Sequence, residues 1–482
     1  MTQQRDSRRS PFSVKIKKPE PQRLLKKWLV LLVVGVLAGV GFVALQPHFA
    51  AAEPNGERLL RDADASLERG DIDKAIRECD RAIALEPGNP DAYAKRGYAC
   101  LRAKDLRGAV GDYTEAIERA PKNANLHWNR AEAHRKSGAL VKAIGDYDVV
   151  IELAPNKAEA YAVRGTCKAS SGDLAGAIAD HDHAATLQPD EPIHPLRRGK
   201  IRYELGDYSA VIADLTEVIR LDPSRVVAFK LRGRARQKEG NYAGAIADFT
   251  RAIRLDPADI ELFNDRGRAR KLAGDPSSAI ADFGKAIKLG ADNTRARAHR
   301  ADAKRAKGDL GGAIADYTAA IRLDPSNADA YFARGQAHEE IGRLSAAIAD
   351  YNRVIAARPD YAEAYCARAD AKEATGDLAG AIADFNQVIQ RKPKEAYAYC
   401  GRADTKAEGG DLKGAIADYD KAIDCKPDYG YAHYGRGQAY ALLGEFDAAV
   451  ENFRWIVDHS TDPKLVRTAG ELLQLVQIGQ HR

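Results

Sequence analysis

The sequence has few of the residues from which catalytic and metal sites are commonly built. Its 482 residues include 6 Cys, 11 His, 1 Met and 3 Trp. It contains no two-Cys zinc spacing, no Walker lysine loop and no nucleophile elbow. In its best metal-like cluster, His181-Asp182-His183, the two histidines are two residues apart and would point to nearly opposite sides of a helix. We therefore expect neither an enzyme nor a cofactor or metal site.

The sequence also lacks a strong excess of one charge. Its formal net charge is +5, which argues against a strongly basic nucleic-acid binder. The charge is unevenly placed, because residues 1–27 hold nine Lys and Arg against two Asp and Glu. This tail also contains Pro11, Pro19 and Pro21, so we expect it to be disordered. No nucleic-acid partner is predicted.

One long apolar run follows this basic tail. Residues 28–45 contain no charged side chain, and as a helix they would be ~27 Å long, close to the ~30 Å hydrocarbon core of a membrane. Lys26 and Lys27 precede the run. In the twenty residues after it, the only Lys or Arg residues are Arg58 and Arg61. The positive-inside rule therefore predicts a signal anchor with a cytoplasmic tail. The rest of the chain would lie on the periplasmic side of the inner membrane, after a linker over residues 46–55.

A cleaved signal peptide is the alternative interpretation of the same segment. Ala50-Ala51-Ala52 would suit a signal peptidase, but the basic tail and the apolar run are long for a signal peptide, which favours the uncleaved anchor. Both interpretations export the remaining chain. Gly35 and Gly39 have the spacing that lets membrane helices touch, which allows a weak homodimer.

From residue 56 onward one unit of 34 residues recurs. Twelve units run from Gly56 to Pro463. Position 8 is Gly or Ala in all twelve units, and position 20 is Ala in all but one. Position 24 is Tyr or Phe in nine units. The period is marked most clearly by proline at position 32, at Pro87, Pro121, Pro155, Pro189, Pro223, Pro257, Pro325, Pro359, Pro393 and Pro427.

Each unit predicts two helices. In unit 8, residues 294–307 contain no helix breaker, Gly308-Asp309 supply a turn and a cap, and residues 310–323 form a second helical stretch. The small residues at positions 8 and 20 let the two helices approach closely, and the aromatic residue at position 24 fills the space beside them. One pair cannot bury its apolar faces alone, so the units must stack.

This pattern resembles the tetratricopeptide repeat (TPR), here in a membrane-anchored, bacterial-type protein. The resemblance implies an all-α, right-handed superhelical solenoid of about twelve helix-turn-helix units, preceded by one transmembrane helix. It also implies that the first helices line a concave groove that binds peptides or protein segments. Residues 464–482 have one apolar stripe and are expected to form the C-terminal capping helix.

Arginine at position 7 departs from the family pattern, in which this residue is often leucine. It occurs in eleven units from Arg96 to Arg436, and position 23 is Asp in ten units from Asp112 to Asp418. The two residues either form buried pairs that hold neighbouring helices in register or present a row of groove arginines. We favour pairing, because the carboxylates match the arginines so regularly.

The groove positions of the first helices predict the partner-binding residues. Units 5 to 8 are mainly basic and units 9 to 11 acidic, so the groove is expected to be bipolar and to orient a ligand of complementary charge. A solvated charged face is the alternative. The predicted residues are Arg197, Lys200, Lys230, Arg234, Lys238, Arg268, Lys271, Arg305, Glu339, Glu340, Asp370 and Glu373.

The sequence thus predicts a non-enzymatic scaffold that is anchored in the membrane and binds protein segments outside the cytoplasm. The alternative is a capture subunit for an envelope enzyme, with units 5 to 8 binding an acidic polymer or a secreted chain. Among the cysteines, Cys79 and Cys100 are the likelier disulfide pair, because their positions in successive units face each other. We favour small buried thiols over any disulfide.

Overall fold

The computed structural model describes residues 55–290 and 292–480, with side chains to residue 477. These residues form 25 α-helices and no strand, so the all-helical solenoid predicted from the repeats is confirmed. The predicted tail, membrane helix and most of the linker lie outside the described residues, as does the expected dimer contact at Gly35 and Gly39. No helix within the described ranges is long and apolar enough to span a membrane.

Twelve helix pairs and one final helix make up the described chain. The first helices of the pairs are α1 (Gly56–Arg69), α3 (Pro90–Arg102), α5 (Ala124–Lys136), α7 (Ala158–Ser170), α9 (Ile193–Leu205), α11 (Val226–Lys238), α13 (Ile260–Leu272), α15 (Thr294–Ala306), α17 (Ala328–Glu340), α19 (Ala362–Glu373), α21 (Ala396–Glu408) and α23 (Gly430–Leu442). The second helices are α2 (Ile72–Leu85), α4 (Leu106–Arg119), α6 (Leu140–Leu153), α8 (Leu174–Leu187), α10 (Tyr208–Leu221), α12 (Tyr242–Leu255), α14 (Pro276–Leu289), α16 (Leu310–Leu323), α18 (Leu344–Ala357), α20 (Leu378–Arg391), α22 (Leu412–Cys425) and α24 (Phe446–His459). The final helix is α25 (Pro463–Gln480).

Glycine and a capping carboxylate make the turn inside half of the pairs. Between α15 and α16, Gly308 has a φ of 85°, the left-handed conformation that glycine adopts without a steric cost. The Asp309 carboxylate then accepts the backbone N–H of Gly312 at 2.9 Å and caps α16. The predicted turn and helix start of unit 8 are therefore confirmed.

Small residues let the helices of a pair pack closely, as the sequence predicts. A Cβ atom added at Gly267 of α13 would lie 2.7 Å from the Phe283 ring of α14. Phe283 and Ala279 of α14 are both fully buried. The aromatic residue of position 24 therefore fills the space that the missing side chain leaves.

Successive pairs stack through neighbouring helices. Each helix packs on the next along the chain, and the first helices of most successive pairs also contact one another. No comparable contact joins second helices in the described part of the chain. The first helices therefore line the inner, concave face of the array. At the C-terminal end, α25 packs Leu465 and Ala469 against Phe453 and Ile456 of α24.

The arginine of position 7 ties three helices together. Arg266 of α13 donates from Nε and Nη2 to the two carboxylate oxygens of Asp282 in α14, at 3.0 and 2.6 Å. Its Nη1 donates to the Thr250 hydroxyl of the preceding pair at 3.2 Å. Arg270 donates to the same carboxylate at 2.8 Å. Equivalent position 7 to position 23 contacts recur from Arg96 to Arg402, so the predicted pairing is confirmed.

Candidate functional site

The concave face is the candidate functional site. All twelve predicted partner-binding residues lie on first helices: Arg197 and Lys200 on α9, Lys230, Arg234 and Lys238 on α11, Arg268 and Lys271 on α13, Arg305 on α15, Glu339 and Glu340 on α17, and Asp370 and Glu373 on α19. Several of them contact the next first helix, as described below, which places them on this face. That they bind a partner remains a prediction.

Half of the predicted bases on this face are paired with carboxylates. Lys230 lies 3.0 Å from the Asp259 carboxylate and 2.6 Å from that of Glu261. Arg234 Nε lies 2.6 Å from Asp265, whose side chain is buried. The lysine and arginine come from α11, whereas the carboxylates belong to α13 and the turn before it. A base of one pair therefore meets acids of the next pair.

The same arrangement continues through the following two pairs. Lys271 lies 3.0 Å from Asp302, and Arg305 Nε donates to Glu340 at 2.7 Å. Burial alone would raise the pKa of Asp302, but hydrogen bonds from His299, Tyr317 and Lys271 outweigh it and lower the pKa to about 2. This carboxylate therefore stays ionised and holds the lysine.

Ion pairs across the helix stack occupy half of the predicted bases, and the bipolar groove remains a prediction. The sequence alone could not show which acids these bases meet. Their separation in the chain is 29 to 35 residues, so the superhelical stacking of one pair on the next decides which side chains meet.

Four predicted bases form no ion pair within the described chain. Arg197 donates to the Thr166 hydroxyl at 3.1 Å, and Lys200 and Lys238 are exposed. Arg268 lines an open cleft of about 520 Å³ together with Lys238. These groups remain available to a ligand, although the cleft also contains Glu261 and Asp265.

In the acidic part of the face, three carboxylates meet hydroxyl groups, whereas Glu340 pairs with Arg305 and Glu363 with Lys392. Glu339 accepts from Tyr351 at 2.7 Å and Asp370 from Tyr397 at 2.6 Å. Asp404 of α21 accepts from Tyr419 at 2.5 Å. The tyrosines belong to positions 24 and 2 of the repeat, and sequence reasoning did not connect them with these acids.

These carboxylates stand close enough to perturb one another. Burial raises the pKa of Glu373 to about 7 against a hydrogen bond with Thr405, and the charges of Asp404, Glu408 and Asp370 raise it further. Burial raises the pKa of Asp370 to about 6, while the Tyr397 hydrogen bond opposes the shift. On the inner surface of α19 and α21, Asp370, Glu373, Asp404 and Glu408 form no ion pair within the described chain, whereas Glu363 pairs with Lys392.

An apolar cleft lies at the C-terminal end of the concave face. It has a volume of about 430 Å³ and is bounded by α21, α23 and α25. Leu442, Leu472 and Val476 contribute aliphatic walls, the Tyr419 ring forms a further wall, and Glu408 lies at the edge. Sequence reasoning did not identify this cleft, because its lining residues come from five helices, α21 to α25.

The histidine cluster does not converge on a single point. His181 is buried, and burial lowers its pKa to about 4, with the nearby Arg197 lowering it further. Asp182 pairs with Arg198 of the next repeat, and the His183 ring stacks on Tyr161 with 5.3 Å between centroids. Each of the three side chains thus has a different structural environment.

The six cysteines are free thiols, and Cys79, Cys100, Cys167 and Cys400 are buried. Burial raises the pKa of Cys79 to about 12 and that of Cys100 to about 11. The pairing of Cys79 with Cys100 as the likelier disulfide is therefore wrong. The two residues pack in separate apolar clusters, in agreement with the favoured interpretation as small buried side chains.

Comparisons with known families and structures identify the repeat. Models described as tetratricopeptide repeat match residues 60–113, 105–158, 196–260 and 362–395, and a model described as TPR repeat matches residues 301–342, 340–376 and 403–444. No curated protein sequence matches the chain.

Similar solved structures include three from different organisms. The yeast Tom70 structure is 16% identical and aligns over 88% of this chain and 96% of its own, with a TM-score of 0.38. A tetratricopeptide repeat protein from Parabacteroides merdae is 20% identical over 52% of this chain and 98% of its own, with a TM-score of 0.42. MamA from Desulfovibrio magneticus RS-1 is 22% identical over 34% of this chain and 94% of its own, with a TM-score of 0.33.

Proposed function

Because the chain is built of tetratricopeptide repeats, we propose that it is a membrane-anchored, non-enzymatic scaffold that binds segments of partner proteins on its concave face. The observation that carries this proposal is the continuous inner surface formed by the contacts between successive first helices. Such a surface suits an extended segment, which contacts several repeats at once.

The charge arrangement favours protein segments over acidic polymers. A polyanion needs a row of cations without carboxylate partners, whereas Lys230, Arg234, Lys271 and Arg305 are each paired with an acid. Displacing these acids would cost the ion pairs between repeats. Of the four bases without an ion pair, Lys238 and Arg268 share their cleft with Glu261 and Asp265, which disfavours an acidic polymer there.

Site-specific photo-crosslinking tests the proposed binding face. A photoreactive amino acid is placed at Lys238 or Arg268 on the concave face, and at Arg251 or Lys285, which are exposed on second helices, as matched controls. We expect the concave positions to capture a defined set of proteins in intact cells that the control positions do not capture. Capture from the control positions alone, or equally from all four, would contradict the proposal.

Anchoring by residues 28–45 is the second part of the proposal. Its support is the uncharged run of eighteen residues behind a basic tail. We expect the full chain to sediment with membranes and to resist alkaline extraction, and a variant lacking residues 28–45 to be extracted. A reporter that is active only outside the cytoplasm, fused after Arg482, should be active in the full chain. An inactive reporter would indicate the opposite orientation in the membrane. Free extraction of the full chain would refute the anchor.

A further inference from the structure

The apolar cleft between α21, α23 and α25 is an unusual feature of the concave face. Its wall residue Leu442 is 73% exposed. Leu442 occupies position 13 of its unit, which is charged in several other units, as at Arg102 and Glu408, and is Leu272 in one other. Leu442 is the more exposed of these two leucines, and it lines an apolar cleft, whereas Leu272 lines a charged one. Exposed apolar surface beside a concave wall is typical of a binding site.

One edge of the cleft continues into carboxylates. Glu408 lines the cleft itself, and Asp404 stands one helical turn before it on α21. Asp404 accepts a hydrogen bond at 2.5 Å from Tyr419, whose ring is part of the cleft wall. Glu373 of α19 interacts electrostatically with both acids. The apolar cleft and the acidic surface are therefore one continuous feature.

The pairing of bases with acids between successive first helices ends before this point. The last such groove pair is Arg305 with Glu340, after which Asp370 and Asp404 face tyrosine hydroxyls. Asp302 holds Lys271 at the same repeat position, position 9. A carboxylate at position 9 can therefore bind a cation. In α19 and α21, no Lys or Arg of the described chain pairs with the carboxylate at this position.

We propose that this end of the concave face binds an extended partner segment in which a leucine-sized side chain enters the cleft and flanking lysines or arginines contact Glu408, Asp404 and Glu373. This inference rests on the proposed function and specifies the chemistry of the partner. The apolar side chain anchors the segment by burial, and the basic residues select it by complementary charge.

The test measures binding of synthetic peptides to the detergent-solubilised full chain by fluorescence anisotropy. The probe contains Lys-Lys-Leu-Lys-Lys, and two control peptides replace the leucine by alanine or all four lysines by glutamate. We expect the probe to bind at least tenfold more tightly than either control. Equal binding of the leucine and alanine peptides, or no binding of the probe, would overturn the proposal.

Variants of the protein locate the site. Leu442→Ser should weaken probe binding at least tenfold, and since Leu442 is largely exposed the variant should fold, which circular dichroism checks. Glu408→Gln combined with Asp404→Asn should weaken binding and reduce its salt dependence. Lys285→Gln, at an exposed position of a second helix, is the control and should bind as the wild type does. Loss of binding in the control alone would contradict the location.

A second copy of the chain is the other occupant to test. Sedimentation that shows a dimer abolished by Leu442→Ser would overturn the peptide proposal. The crosslinking experiment separates the two levels of inference. If the peptides fail while Lys238 and Arg268 still capture proteins, the scaffold function stands without this site. If both fail, the proposed function falls as well.

Discussion

At the scale of single residues, position 8 sets how closely the two helices of a pair approach. Gly267 lies directly against the buried ring of Phe283, and a Cβ atom there would be 2.7 Å from the ring. Gly145, on the exposed side of α6, has no atom within 4 Å of an added Cβ. The same residue type therefore serves packing at one position and contributes only backbone freedom at the other.

We predict opposite effects of alanine at these two glycines. Gly267→Ala should destabilise its pair by about 1–3 kcal/mol, because the rigid ring cannot move out of a packed core. Gly145→Ala should stabilise the protein by about 0.5–1 kcal/mol through better helix propensity. Thermal unfolding measures both, together with hydrogen exchange in α13 and α14 for Gly267→Ala and in α5 and α6 for Gly145→Ala. If both variants stabilised the protein, the Phe283 ring must have moved to make room for the added Cβ atom at position 267.

Glu373 should make the stability depend on pH. Its folded-state pKa of about 7 lies above the ordinary value, so the folded chain binds this proton more tightly than the unfolded chain. The protonated Glu373 carboxyl contributes its full share to the free energy of unfolding below about pH 4.5, and this contribution is lost as pH rises through about 7. Glu373→Gln should therefore raise the unfolding temperature relative to the wild type at pH 8 and leave it nearly unchanged at pH 4.

A paired groove acid provides the control for this effect. Glu340 contacts Arg305, so Glu340→Gln should lower the stability at pH 8, opposite in sign to Glu373→Gln. Peptide binding offers a second measurement, because the affinity for a basic peptide should fall between pH 8 and pH 5.5. Lower stability of Glu373→Gln at pH 8 would mean that this acid has a favourable partner.

At the scale of elements, the turn inside each pair depends on a left-handed residue. Glycine occupies it in eleven pairs, from Gly70 to Gly444, with φ between 74° and 92°. The pair formed by α3 and α4 has Lys104 there instead, with φ 65°. A side chain in this conformation costs about 1–2 kcal/mol, so this turn carries strain that the other eleven avoid.

We expect Lys104→Gly to stabilise the α3–α4 pair by about 1 kcal/mol. The reciprocal change Gly138→Lys should destabilise the α5–α6 pair by a similar amount, since Gly138 has a φ of 78°. Thermal unfolding and hydrogen exchange of the two pairs check the prediction. A loss of stability in Lys104→Gly would mean that the lysine side chain makes a compensating contact.

At the scale of the whole molecule, packing is confined to neighbouring elements. Among the described residues each pair packs on the adjacent pairs, so the stability is close to a sum of pair and interface terms. The ends of such an array need a cover for their apolar faces. At the C-terminal end α25 supplies it, with Ala469 fully buried against α24.

Removal of α25 should expose this end and promote association of the chain. We predict that truncation after Asp462 gives concentration-dependent oligomers in analytical ultracentrifugation and lowers the stability of α23 and α24, because Phe453 and Ile456 become exposed. Leu475→Lys is the control and should leave the association state and the stability unchanged, since Leu475 is already 64% exposed on α25. A truncated chain without association or loss of stability would show that α25 is not needed as a cover.

The sequence by itself determined the repeat, the helix pairs and the pairing of Arg266 with Asp282. These features are local, because each contact forms within one unit of 34 residues and recurs in the next. Because the unit recurs twelve times, its pattern can be recognised from Gly or Ala at position 8 and Asp at position 23. The periodicity also indicated the general location of the groove.

Only the tertiary structure decided which groove charges are free. Lys230 and Glu261 are 31 residues apart and meet because one pair stacks on the next at a particular angle, which the repeat pattern does not specify. The same stacking placed Asp370 beside Tyr397 of the next unit and brought Leu442 together with Leu472 of α25 to form the apolar cleft. Contacts between units depend on the superhelix, and these contacts set the chemistry of the concave face.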